Sequence, residues 1–475
     1  MLASCSRFVP ACLGLCLLLG LAGCGGGSSN PTVSGNTAVT VMATSTANDQ
    51  LFNFPIQIQS LTLTSQNGPS QTLIASSLGE EFIHVNGKLE QLAGPLVVPQ
   101  GVYTAASVAI SNMDPACAGP YIFNGTIQSN GNPAVTVNLP QPIQIHGTAM
   151  TLLLNLDVSQ SGPFSGGCPS GTHQIAFNPV FELTATPQDN AATSSIYGLV
   201  EIVAAASNGD LSTNSMNDMS VANPPSGFFQ IGSGTVIQGG SGISALASGV
   251  PIDLDAVLQP DGTLLATRVE ILDANPSNLS AAYGAIFQYD ASRPGTVLGL
   301  ETQSIGNVPS EGFSEYGFAN ASFGISNALS NVSSLPFAAS FNASNMVAGQ
   351  NVFVSTHVQP VNGFPPGPPL PVSSLKLLPQ IVDGQVISTG TVGSFTTYTI
   401  QLASYNLFPS VAQSGGQVNQ LNNPATVVVY ADSSTRKMTS SSIGVGNTYR
   451  FNGLIFNDNG TLRMDCAQIN DGVPQ

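Results

Sequence analysis

The sequence predicts an all-β protein, with an N-terminal β-sandwich followed by three small repeated β-barrel or sandwich domains. Three observations carry this expectation. Apolar and polar residues alternate in run after run, as in PIQIQSLTLTS, VTVNL and TLLLNLDVS, and a period of two marks a strand with one buried face. No stretch beyond residue 36 has the 3.6-residue period of an amphipathic helix. Gly, Pro, Asn and Asp punctuate the alternating runs at short intervals, as turns between strands require.

Composition bounds the rest. The chain has 475 residues, 42% hydrophobic and only 7% charged, against about 25% charged in an ordinary soluble domain. Val, Ile, Leu and Phe suffice for packed cores, so this is not a disordered polyelectrolyte. At about 150 residues per domain the length suggests roughly three domains, more if they are small β units. The net charge is −16, from nine Lys and Arg against twenty-five Asp and Glu, and Arg436-Lys437 is the densest basic pair. Nucleic acid and anionic lipid surfaces both need stripes of Lys and Arg, so neither is an expected partner.

The chain opens with Arg7 and then the apolar run ACLGLCLLLGLA, residues 11–22. That run is shorter than the roughly 20 residues needed to cross a bilayer and fits a signal peptide over residues 1–23. It closes on Leu21-Ala22-Gly23-Cys24, which resembles the bacterial lipobox. The resemblance implies that Cys24 is acylated on sulfur and that the membrane partner is reached through this lipid. Residues 24–36 then form a flexible tether. The same resemblance, with no Asp after Cys24, implies an outer-membrane lipoprotein, on the cell surface or the periplasmic face.

Cys5, Cys12 and Cys16 leave with the signal peptide, and Cys117, Cys168 and Cys466 remain with the exported chain. Cys117 in DPACAGP and Cys168 in SGGCPSG sit in Gly/Pro loops of one domain. They are the candidate disulfide, which would add about 4 kcal/mol by closing a long loop. Cys466 is left over and is expected to be a buried free thiol.

Residues 37–187 read as one domain of two packed sheets. Alternation changes phase near Ser60, between Ile56/Ile58 and Leu61/Leu63. VPQGVYTAASVAIS (98–111), LLLNLDVSQS (152–161) and IAFNPVFELTA (175–185) follow in an order that resembles the bacterial domain of unknown function 4382. That family is found in secreted lipoproteins and brings no assigned activity. Its Asp-Ala-Pro segment after the first strand is replaced here by TANDQLFNF (46–54).

A repeat fills the remainder, over residues 196–273, 282–379 and 382–472. The three segments open on IYGLV, AYGAI and VDGQV, reach a turn glycine at Gly249, Gly349 and Gly446, and then a hairpin glycine at Gly262, Gly363 and Gly460. The glycine-to-glycine intervals are 13, 14 and 14 residues. Asp-Gly and Asn-Gly supply the positive φ of tight hairpins, and a fixed strand length keeps one face inward. The repeats resemble a second uncharacterised bacterial envelope domain family. An insertion, GFPPGPPLPVSS (363–374), is expected to form an extended polyproline II loop.

Chemistry is sparsely signalled. His84, His146, His173 and His357 stand apart, and no HExxH, GxSxG, P-loop or CxxC occurs. No cofactor is expected. Asp253 and Asp255 in PIDLD share a strand face and are the best cation candidates, set against their reading as a solvated face. Glu80, Glu81 and His84 are the candidate constellation for a hydrolase. Tyr103, Tyr121, Tyr398 and Tyr430 could stack on a glycan, although core positions with one polar end suit them as well, and the chain has no Trp. Three readings stay open. One is a lipid-anchored, non-enzymatic binding or adhesion module with a protein or glycan ligand, presented on a stalk of repeats. The second is a periplasmic scaffold lipoprotein, and the third is a hydrolase with an unrecognised site.

Overall fold

The computed structural model describes residues 35–472 apart from 47–50, 84, 114–115, 118–123, 128–133, 159, 162–173, 187–194, 216–224, 260, 291–296, 306–313, 330–331, 358–368, 405, 414–420 and 440. The chain is all-β, in several sheets, two of which close on themselves. Cys24, Cys168, Tyr121, His84 and His173 lie outside the described residues. The backbone of Cys117 pairs with Leu51, but its side chain is outside them too, as is the Cys117–Cys168 pairing.

The N-terminal body is two stacked sheets. Strand Asn36–Thr46 runs parallel to Ala149–Asp157 and antiparallel to Glu90–Pro99, with Val180–Thr186 on the outer flank. The second sheet centres on Pro55–Ser65 paired with Gly101–Met113. Alternate residues of both sheets, such as Val39, Val41, Leu152, Leu154, Ile56 and Leu63, meet in one core. The phase change at Ser60 is a register shift between Ile58 and Ser60 against the neighbouring strand. Leu61 and Leu63 thereby return to the inner face.

The first repeat is a closed barrel in which Ser195–Ala206, Asp210–Ser215, Ser226–Gln238, Leu264–Ile271 and Pro251–Leu258 neighbour one another in that order. Its closing contact, Ser226–Gln238 with Leu264–Ile271, is parallel. The last repeat follows the same path, closed by the parallel pair Thr426–Ala431 and Thr461–Asp471. The middle repeat follows it too, with parallel contacts split between Ser314–Gly317/Leu370–Pro371 and Ser322–Ile325/Ser374–Leu377. The end of the Pro-rich insertion is therefore sheet rather than loop: Leu370–Pro371 and Ser374 join strands, and 363–368 lies outside the described residues.

The three turn glycines do one job. Gly249, Gly349 and Gly446 have φ of +89°, +98° and +92°. Their N–H groups donate to Val203, Ile286 and Val386 at 2.8, 2.7 and 2.8 Å, and those residues donate back to the carbonyl just after each glycine. A bulge follows at each of the three positions. Only a residue at ease with positive φ closes this hydrogen-bonded loop without strain.

The repeats do not extend from the sandwich as a stalk. Met42 and Leu89 of the sandwich join the core of the first barrel. Arg450 of the last repeat donates to the Ser45 carbonyl at 3.4 Å and to Asn86 Oδ1 at 3.1 Å. Leu407, Val411, Leu454 and Phe456 of the last repeat complete the core of the middle one.

Candidate functional site

Two places gather chemistry: a buried charged cluster where the bodies meet, and an open cleft between the sandwich and the first barrel.

The cluster grows from Pro251–Leu258. Alternation turns Ile252, Leu254 and Ala256 into the barrel core and sends Asp253 and Asp255 outward. Both were expected on one face, and they share it, but that face is not solvated and holds no cation set. Asp253 is 0% and Asp255 6% exposed, because Ser326 and the neighbouring repeat cover them. Arg268 lies opposite Asp255 in the hairpin and reaches Asp255 Oδ2 at 2.7 Å, Asp253 Oδ1 at 2.9 Å and Glu270 Oε2 at 3.2 Å. Burial would lower its pKa, but the facing carboxylates Asp253 and Asp255 outweigh burial and keep it charged. Burial raises Asp255 and Arg268 offsets part of that rise. Lys376 of the middle repeat adds an ion pair to Glu270 at 2.7 Å. Ser326 donates within 2.9 Å to Asp253 and Glu270. No group of three or more metal-binding side chains occurs among the described residues.

Gly198, from the IYGLV motif, joins three bodies. Its N–H donates to Asp255 Oδ1 at 2.8 Å, and its carbonyl accepts from Lys88 Nζ of the sandwich at 2.7 Å. A Cβ there would lie 3.2 Å from Pro379. Beyond Lys88 stand Glu80, Glu81, Glu90 and Glu201, all buried. Glu81 Oε1 accepts the backbone N–H groups of Phe54 and Ile83 at 2.5 and 2.9 Å. Burial, then the charges of Glu90 and Glu81, push Glu80 well above the usual carboxylate range. Glu80 and Glu81 are 1% and 6% exposed, so both carboxyls of that candidate constellation lie buried at the joint between bodies, and His84 lies outside the described residues.

Tyr103 is buried and its hydroxyl donates to the Pro99 carbonyl at 2.9 Å, and Tyr398 and Tyr430 are buried as well. His146 is exposed. His357 bridges Asp273 and the Ser277 carbonyl, both at 3.1 Å. Cys466 is a buried free thiol whose ionisation is pushed up by burial.

The cleft was not foreseen. It measures about 600 Å³, between Ala38, Thr40 and Gly94-Pro95 of the sandwich and the Asp210–Ser215/Ser226–Gln238 hairpin of the barrel. In that hairpin Leu211 and Phe229 pair on the inner face, 1% and 4% exposed. Asp210, Ser212, Phe228 and Gln230 therefore face outward, and Phe228 is 58% exposed. The sequence does hold a signal for this: two adjacent Phe in one strand cannot both point inward. The Asp261-Gly262 turn forms part of the lining. Gly262, with φ +84°, rests on the sandwich, where a Cβ would lie 3.2 Å from Thr40 Oγ1 and 3.4 Å from Thr151 Oγ1. The same glycine gives the hairpin its turn and the two bodies their close approach. No protein-family model matches the chain, and no curated protein matches it.

Proposed function

We propose that this chain is a lipid-anchored protein of the bacterial cell envelope, held by Cys24 in the outer membrane, that binds a ligand without chemical turnover in the cleft between its sandwich and first barrel. The observation that supports this reading most is the cleft. Its volume, about 600 Å³, falls in the range of small-molecule sites, and its walls are apolar with a few polar groups. Strands of two bodies hold it, so it is preorganised. The LAGC segment supports the anchor.

Two measurements test this. Cells grown with labelled palmitate should incorporate it into the wild-type protein and not into Cys24→Ser, and equal labelling of the two would overturn the anchor. Ligand-observed NMR of the full chain against a set of small fragments should give signals lost in Ser212→Trp, which fills the cleft. A set with no variant-sensitive binder would overturn the binding site and favour a scaffold.

A further inference from the structure

We infer that the cleft between the sandwich and the first barrel selects amphipathic organic cations, molecules with an apolar or aromatic body that carries an amine or guanidinium. This rests on the reading of the cleft as a binding site and names its ligand class.

Among the described residues the charged groups lining the cleft are Asp210 and Asp261, and no Lys, Arg or His lines it. The two Asp come from different elements and are both exposed. Asp261 is held ionised below the usual carboxylate range by hydrogen bonds from Thr263. The Thr263 hydroxyl and N–H both donate to Oδ1, at 2.6 and 3.0 Å. A carboxylate only accepts, so the ionic part of the lining calls for a donor, and a cationic one gains most.

The apolar part calls for a body. Phe228 leaves most of its ring in the open beside Asp210 and Ser212 on the outer face of one hairpin. Its π-face offers an ammonium or guanidinium a second attraction, and offers an aromatic body a stacking partner. A fully polar cation would leave the walls of Ala38, Pro95 and Ala206 wet, and an anion would meet two like charges. The net charge of −16 draws cations toward the molecule before contact.

The probes are 4-phenylbutylamine and its neutral counterpart 4-phenylbutanol, with maltotriose as a glycan, each titrated into the full chain by NMR and calorimetry. The amine should bind about tenfold more tightly than the alcohol, the ratio of one fairly exposed ion pair plus a cation–π contact. That preference should vanish in Asp210→Asn/Asp261→Asn, where the isosteric amide keeps the Thr263 hydrogen bonds. It should also shrink as salt is raised, while alcohol binding stays constant. Phe228→Ala should weaken both ligands. Alcohol binding equal to amine binding, or maltotriose binding that Phe228→Ala abolishes, would overturn the cation class and leave the cleft a binding site. No variant-sensitive binding of any probe would overturn both.

Discussion

Replacing Arg268 with Met should be the most costly single change in the first barrel. The guanidinium holds Asp255, Asp253 and Glu270 at 2.7, 2.9 and 3.2 Å, and all three are buried. Glu270 keeps Lys376 at 2.7 Å, so the loss falls on Asp253 and Asp255. A carboxylate stranded out of water takes up a proton rather than remain charged. Holding one Asp protonated at pH 7, about 3 units above its unfolded value of about 3.9, costs about 4 kcal/mol at 1.36 kcal/mol per unit. Broken buried ion pairs typically cost about 3–5 kcal/mol, which agrees. At pH 5 the gap is about 1.1 units and the cost about 1.5 kcal/mol. Native-state hydrogen exchange of Pro251–Leu258 and Leu264–Ile271 reads the opening free energy of these strands directly. The variant should lose about 4 kcal/mol at pH 7 and recover most of it at pH 5, and adding Asp253→Asn and Asp255→Asn should restore part of it at pH 7. A loss below about 1 kcal/mol, or one equal at both pH values, would refute a buried charge dependence.

Three further outcomes are expected. Gly349→Ala should cost more than about 1 kcal/mol, because its φ is +98° and its Cβ would meet the Phe408 ring of the last repeat; thermal unfolding checks this, and an unchanged midpoint argues against close docking of those repeats. Burial and neighbouring carboxylates raise Glu80 and Glu201 well above the usual range. Their contribution to stability is therefore full below the unfolded value of about 4.3 and is lost as pH rises through the raised value. Glu80→Gln should flatten that fall in urea titrations run at stepped pH, and identical slopes for variant and wild type would refute it. Cys466, 3% exposed with its thiolate disfavoured by burial, should resist a thiol reagent in the native protein and react fully in urea; rapid native labelling would contradict its placement.

The fold was legible where neighbours in sequence decide it. Alternation of Ile56, Ile58, Leu61 and Leu63 gave a sandwich strand together with its bulge, and Gly249, Gly349 and Gly446 marked equivalent turns because positive φ is a local demand. Asp253 and Asp255 show where that reach ends. Alternation correctly put both on one face, but what covers the face comes from Ser326 and Lys376, more than fifty residues further on. The cleft was illegible for the same reason. Phe228 and Asp261 are far apart in the chain, and a QPDGT turn reads as a hairpin whether or not its glycine rests against another domain.

The buried charges gather at the joints between bodies. Among the described residues eight acids are buried, Glu80, Glu81, Glu90, Glu201, Asp253, Asp255, Glu270 and Asp383, against two bases, Lys88 and Arg268. Among the described residues four basic side chains cross from one body to another: Lys88 to Gly198, Lys376 to Glu270, Arg463 over the Phe337 ring, and Arg450 to Ser45 and Asn86. The first and last repeats therefore both grip the sandwich, and the four bodies close on themselves. A closed arrangement of this length should have a radius of gyration of about 23 Å, from the scaling of compact chains. Beads strung on short linkers would give a value well above that. Arg450 bears the last of these contacts, and Gly87 packs beside it, where a Cβ would lie 2.9 Å from Ile381. Arg450→Ala with Gly87→Val should release the last repeat from the sandwich. Small-angle scattering should then show an increased radius while circular dichroism keeps its β signature. An elongated wild-type particle would refute the closed arrangement, and an unchanged radius in the double variant would assign the closure to the apolar core shared by the middle and last repeats.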